Sequence, residues 1–341
     1  MNERGRSLVG AVIAGDFEIQ APLARGAAGQ VYVARQVSTG RRRAIKVLHA
    51  DLADDHVAVE RFRREASIGA RVQSAHIVEV ISAGFDPSLK RPWLAMELLE
   101  GQNLAERIAA GPISVGEAGI ILGQLCDGLS AIHSAGIIHR DLKPENIYVA
   151  KAPNGGISVK ILDLGIAKLL EGKSLTGQTT LGTPRFMAPE QTQGGDTISP
   201  AADVWSLACV AFRMLTGQHY WHGRELVELL LEIMQGATMP ASARAKELGG
   251  AVPAGFDAWF ARCLSIDPNG RFPNAAEAWS ALAPLLPQPA AATTKKAAAP
   301  TPETPSTGRS WLVTIAIVAL AALAGVGAGL ALYWALVLRA H

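Results

Sequence analysis

The sequence predicts an α+β fold in which a small sheet-rich lobe precedes a larger helical one. Three observations carry this. Strand-like alternation is confined to about the first ninety residues, helical apolar spacing dominates after Gly101, and 341 residues suffice to bury a core and divide it in two.

In order, "FEIQAPLARG", "GQVYVARQV" and "RRRAIKVLHA" read as strands, the last two separated by a Ser-Thr-Gly turn. "HVAVERFRREASIGARV" spaces its apolar residues as a helix does. Two further strands are expected in "IVEVISAG" and "WLAMELLE". Four helical stretches then follow: "GEAGIILGQLCDGLSAIHSAG", "ADVWSLACVAFRMLTG", "RELVELLLEIMQG" and "GFDAWFARCLSI".

The ends differ from the middle. "MNERGRSLVGAVIAGDFEIQ" imitates a leader peptide, but its apolar run from Leu8 to Ala14 is short, is broken by Gly10 and lacks a cleavage site. Residues 1–15 are therefore expected to be a lead-in. Residues 287–310, rich in Pro, Ala and Thr, read as a flexible linker. Residues 311–338 carry no charged side chain, and as a helix would reach ~42 Å against the ~30 Å of a bilayer core. One membrane span is expected there, with residues 339–341 as a tail. The globular part is then 16–286, its lobes dividing near residue 100.

A net charge of +2 argues against a nucleic-acid binder with a broad basic face. Cys126, Cys209 and Cys263 lie far apart with no CxxC pair, as small buried hydrophobes of a reducing compartment would.

Four stretches carry chemistry. "LARGAAGQV" (23–31) places Gly26 and Gly29 between strands, where a backbone can approach a ligand, although a glycine-containing hairpin explains it equally. Lys46 sits among Ala44, Ile45 and Val47, so its ammonium either reaches the surface or meets an anion such as Glu65. "IIHRDLKPENIYV" (137–149) crowds Asp141, Lys143 and Asn146 together, and "VKILDLGIAK" ends an apolar strand at Asp163. Asn146 and Asp163 are hard oxygen donors of the kind Mg²⁺ takes alongside phosphate oxygens, while Asp141 is available as a proton acceptor.

As a set these stretches resemble the Ser/Thr protein kinases, and more closely the membrane-anchored bacterial members with eukaryote-like catalytic domains. The resemblance covers about residues 16–284 and implies the bilobal protein-kinase fold. It implies that Leu23, Ala24, Arg25, Gly26, Ala27, Ala28, Gly29, Gln30 and Val31 form the loop over ATP. Val31 and Ala44 would meet the adenine, Met96 would gate it, Glu97 to Leu99 would be the hinge, and Tyr148 would line the floor. Lys46, oriented by Glu65, would hold the α and β phosphates. Asp141 would take the proton of the substrate hydroxyl, Lys143 would steady the γ-phosphate, and Asn146 and Asp163 would bind Mg²⁺. Glu190 of "MAPE" would pair with Arg271 of "DPNGRF", and Asp203 of "ADVWSL" would brace the catalytic loop.

"KPEN" and "GTPRFMAPE" are similar to the Ser/Thr patterns, with Thr183 near the acceptor. Arg140 would receive an activation-loop phosphate, for which Thr176, Thr179 and Thr180 are candidates. The implied partners are protein substrates, and the kinase lobes would face the cytoplasm from the cytoplasmic membrane, in agreement with Lys295, Lys296 and Arg309 before the span. Ala321, Gly325 and Gly329 recur at four-residue spacing, either as a dimer face or simply as part of a Gly- and Ala-rich helix.

Four features depart from the pattern. Ala24 replaces the first loop glycine, "DLG" replaces "DFG", "SAH" at 74–76 alters the turn after the Glu65 helix, and Gly69 leaves that helix little side chain to buttress it. They put ease of activation in question. A pseudokinase acting as a nucleotide-binding or docking module is the alternative, although Lys46, Asp141 and Asp163 are all present. A small-molecule kinase of related fold fits the "APE" segment less well.

Overall fold

The computed structural model describes residues 8–26, 28–152, 155–163, 184–192 and 198–286. The expected linker, span and tail, and Thr176, Thr179, Thr180, Thr183, Ala321, Gly325 and Gly329, lie outside the described residues, as do Ala27 and the side chain of Glu65.

The first lobe is an antiparallel sheet in the order β1-β2-β3-β4-β6-β5, formed by β1 (Val12–Ile13), β2 (Phe17–Arg25), β3 (Gly29–Gln36), β4 (Arg42–Leu48), β5 (Val80–Asp86) and β6 (Arg91–Glu97). One helix, α1 (His56–Arg71), runs between β4 and β5 in the chain. Register fixes which residues share a face, because partners directly opposite project to the same side. Val31 faces Lys46, Val33 faces Ala44, and Ala44 and Lys46 face Met96 and Leu94. The intervening residues Tyr32, Ala34, Ile45, Val47, Trp93 and Ala95 point the other way and pack with Ile13, Phe17 and Ile19.

That second face closes on itself at one end. The edge strands β1 and β5 are tied by the Ala14 N–H donating to Asp86 Oδ2 at 2.7 Å, and the Phe17 and Trp93 rings lie 5.3 Å apart. Ile13 is fully buried, so the fold starts before Asp16, and the apolar run that imitated a leader is part of the sheet. A two-residue strand has no period for a sequence reading to detect.

Two other expectations change. The strand expected at 77–84 begins only at Val80, because residues 76–78 are stitched to the second lobe instead. Val78 donates to Ile161 O (3.0 Å) and Ile161 to His76 O (2.8 Å). Gly69 is not a missing buttress: a Cβ there would lie 2.6 Å from Val80 Cγ2, so its absence lets α1 close on β5.

The second lobe holds a small sheet, β7 (Gly101–Asn103), β8 (Ile147–Lys151) and β9 (Ile157–Ile161), and eight helices among the described residues. These are α2 (Leu104–Ala109), α3 (Val115–Ser134), α4 (Pro189–Thr192), α5 (Ala201–Thr216), α6 (Leu226–Gln235), α7 (Ala241–Glu247), α8 (Phe256–Cys263) and α9 (Ala275–Leu282). Caps set their starts: Asn103 and Glu106 form a capping box on α2, and Ser114 and Asn274 accept the third backbone N–H of α3 and α9. Helix α5 is mostly apolar and is buried along its whole length except at Arg213, as a central core helix must be. It stops where Gly217 turns left-handed at φ 73°. Among the described residues α3 alone is long and apolar enough to cross a membrane, yet its Ile121, Leu122, Leu125 and Leu129 are core residues of this lobe.

All three cysteines are buried free thiols. Burial pushes the Cys209 thiol up to about 12 and raises Cys126 and Cys263 as well.

Candidate active site

Three backbone segments meet where β4 ends its run past the second lobe. Lys46, only 8% exposed on its strand, reaches Asp163 Oδ1 at 2.7 Å across 117 residues of chain. Asp163 follows β9 at φ +42°, a left-handed conformation that a non-glycine residue adopts at a cost.

Below them is the loop 139–146. Asp141 Oδ2 receives Lys143 Nζ at 2.8 Å and Asn146 Nδ2 at 3.1 Å, and Asn146 Nδ2 also donates to the Asp141 carbonyl at 2.9 Å. With both amide contacts on Asp141, the Asn146 Oδ1 lies on the opposite side of its carboxamide. Arg140 sits at φ +64°, and the buried Asp203 of α5 holds the strained turn. Its Oδ1 accepts from the Arg140 N–H and its Oδ2 from the His139 N–H, both at 2.8 Å. Glu190 and Arg271 form a two-pronged pair at 2.8 Å on each arm, and Arg271 also donates to Ser265 O and Ala201 O. Gln191 Nε2 donates to Arg140 O at 2.8 Å, tying the segment after Phe186 to the loop.

The glycine positions separate in purpose. A Cβ on Gly29 would collide with the Val47 carbonyl, so Gly29 is required for β3 to lie against β4, not for approach to a ligand. Gly26 has open space at its Cβ position apart from Gly29 O at 3.6 Å, and its N–H closes the turn onto that same oxygen. Leu23 is half exposed, and Ala24, Arg25 and Ala28 are exposed along the same hairpin, with Gln30 and Val31 partly covered. Ala44 and Met96 are cross-strand neighbours on the Lys46 face. Tyr148 donates its hydroxyl to Gly101 O at 2.9 Å, next to the connection between lobes where Leu99 lies partly buried.

Two residues escaped the sequence reading. His133 Nε2 donates to Asp203 Oδ2 at 2.8 Å and so supports the brace from α3. Lys160 Nζ reaches Glu97 Oε1 at 2.6 Å and Ile77 O at 3.4 Å. Glu97 is thus held at the start of the hinge by its side chain, which also accepts from the Glu79 N–H, while its own N–H is spent on Glu79 O. Neither partner is predictable from local pattern, since 70 and 63 residues separate the pairs.

Among the described residues no group of three His, Cys, Asp or Glu side chains is arranged to hold a metal ion. Asn146 and Asp163 offer hard oxygens beside a lysine, a donor set that fits Mg²⁺ completed by phosphate oxygens and water.

A sheet lobe and a helical lobe joined by a lysine–aspartate contact over an Asp–Lys–Asn loop define the protein kinase class of fold. The chain belongs to that family: the protein kinase domain matches residues 17–280. Serine/threonine-protein kinase pkn2 of Myxococcus xanthus is 36% identical over 80% of this chain and 32% of its own length. PknB of Mycobacterium tuberculosis H37Rv is 34% identical over 76% of this chain and 41% of its own. The chain thus spans about a third to two fifths of those relatives. The crystal structure of the Mycobacterium tuberculosis PknI kinase domain superposes with a TM-score of 0.62 at 25% identity, covering 82% of this chain and 98% of that one. Members of the family use ATP as phosphate donor with Mg²⁺.

Proposed function

We propose that this chain transfers the γ-phosphate of ATP to Ser or Thr hydroxyls of proteins, from a site built on Lys46, Asp141, Lys143, Asn146 and Asp163. The contact of Lys46 with Asp163 carries the reading, because it brings the phosphate-binding cation of one lobe to the metal-binding carboxylate of the other. Asp141 Oδ2 is the proton acceptor for the substrate hydroxyl, and Lys143, 2.8 Å from it, adds positive charge for the transferred group. Lys46 orients the α and β phosphates. Asn146 and Asp163 hold Mg²⁺, which when bound neutralises phosphate charge. Asp203, seconded by His133, fixes the turn at Arg140 so that Asp141 does not have to be ordered on each turnover.

The linker 287–310 and the span 311–338 would anchor this domain at the cytoplasmic membrane, with residues 16–286 on the cytoplasmic side and the extra β1 residues included. Phosphorylation at Thr176, Thr179 or Thr180 would activate it through Arg140, and the Ala321, Gly325 and Gly329 face would pair two copies for that reaction. The absence of a charged residue from 311 to 338 supports the anchor.

The full chain in detergent, given labelled ATP and Mg²⁺, is expected to label itself and a protein substrate. Lys46→Met and Asp141→Asn are each expected to lower the rate at least about 100-fold. Equal labelling by all three proteins would refute transferase activity. Release of the full chain from membranes by salt alone would refute the anchor.

A further inference from the structure

Helix α5 has one residue that is not buried, and that residue is charged: Arg213, near its C-terminal end. Its guanidinium lies over the Phe186 ring at 5.8 Å and has Glu145 Oε1 as carboxylate neighbour at 3.8 Å, too long for a hydrogen bond. Its Nε is buried with no hydrogen-bond partner among the described residues. Arg185 is fixed alongside by donating to Trp221 O (3.1 Å) and Gly223 O (2.7 Å), two neutral carbonyls, and no carboxylate pairs with it among the described residues. His219 stacks edge-on against Phe186 at 5.6 Å. Burial and the two arginines push this imidazole down to about 3, so it stays neutral and registers the positive field around it. Among the described residues, then, Arg213 has one distant carboxylate and Arg185 has none within ion-pair distance.

The location gives the cluster a role. Glu145 directly precedes Asn146, and Phe186 is held by Ser206 Oγ of α5 on its carbonyl. Along α5, Arg213 stands about ten residues, or ~15 Å, from Asp203, the residue holding the turn beside Asp141. An extended polypeptide with its hydroxyl at Asp141 crosses that distance in about five residues, at roughly 3.3 Å each.

We propose that Arg213 and Arg185 form a subsite that selects polypeptides carrying a negative charge, carboxylate or phosphate, within about five residues of the acceptor hydroxyl. This rests on the phosphoryl-transfer reading and gives it a substrate class: acid-containing sequences are favoured and basic ones disfavoured by like-charge repulsion.

The test uses the full chain in detergent with Ser peptides bearing Glu, phosphoserine, Ala or Arg at two to five positions on either side of the acceptor. Glu and phosphoserine distinguish the two sources of negative charge. The wild type is expected to show kcat/KM about tenfold higher for an acidic than for an Arg peptide, falling with added salt. Arg213→Gln is expected to remove most of that ratio. Glu145→Gln, at a half-exposed position, is expected to enlarge it, and this opposite sign guards against a variant that merely folds poorly. Equal rates for acidic and basic peptides, or a ratio unmoved in both variants, would overturn the subsite while leaving the kinase reading intact. A preference visible only after phosphatase treatment would assign the cluster to a phosphate of the chain itself and overturn the proposal. Failure to phosphorylate any peptide or the chain would remove both.

Discussion

Asp86 illustrates how one side chain can hold a lobe closed. Burial alone would raise its carboxyl, but the Ala14, Ser88 and Leu89 N–H groups and the Ser88 hydroxyl all donate to it, and the net effect holds it below the usual carboxylate range. A pKa lower in the folded than in the unfolded chain stabilises the fold above about pH 4, and that contribution fades as pH falls through the folded value. Asp86→Asn is expected to cost about 1–3 kcal/mol at pH 7 in urea unfolding, with the gap to wild type narrowing below about pH 4. A gap that stays constant with pH would contradict this account. Asp141, Lys143, Asn146 and Asp163 were legible in the sequence because several polar groups beside apolar strands need partners. Lys160, His133 and Asp86 were not, since each gains its meaning from a residue 63 or more positions away.

At the scale of elements, β2, β3, β4 and α1 follow the sequence reading within a residue or two, because alternation and helical spacing there match the buried faces. The connection after α1 was misread as strand: its apolar residues Ile77 and Val78 are buried against β9 and not within the upper sheet. Gly29 was read as allowing close approach to a ligand and Gly69 as a missing buttress, whereas each is small because another backbone or side chain occupies the space. Gly69→Ala would gain intrinsic helix propensity, yet the added methyl must displace Val80. Thermal unfolding is expected to show a net loss of about 1–2 kcal/mol. A variant more stable than wild type would show that α1 can move away from β5 without penalty.

Across the whole domain, the lobes are joined by more than the covalent hinge. Lys160 gathers Glu97 at the hinge, the Ile77 carbonyl after α1, and β9, three residues before Asp163. Lys160→Met removes the charge but keeps most of the stem, so Glu97 loses one anchor and the hinge loses its fixed start. We expect the KM for ATP to rise about three- to tenfold with a smaller change in kcat, read from initial rates over an ATP series. An unchanged KM would show that the ion pair is incidental to nucleotide binding.

The seam between Ala14 and Asp86 also decides where this domain can be cut. A chain started at Asp16, the first residue that patterning marks as globular, lacks the plug formed by Leu8 and Ile13. The aromatic and aliphatic underside of the six-strand layer would then meet water, and an apolar patch of that kind invites self-association.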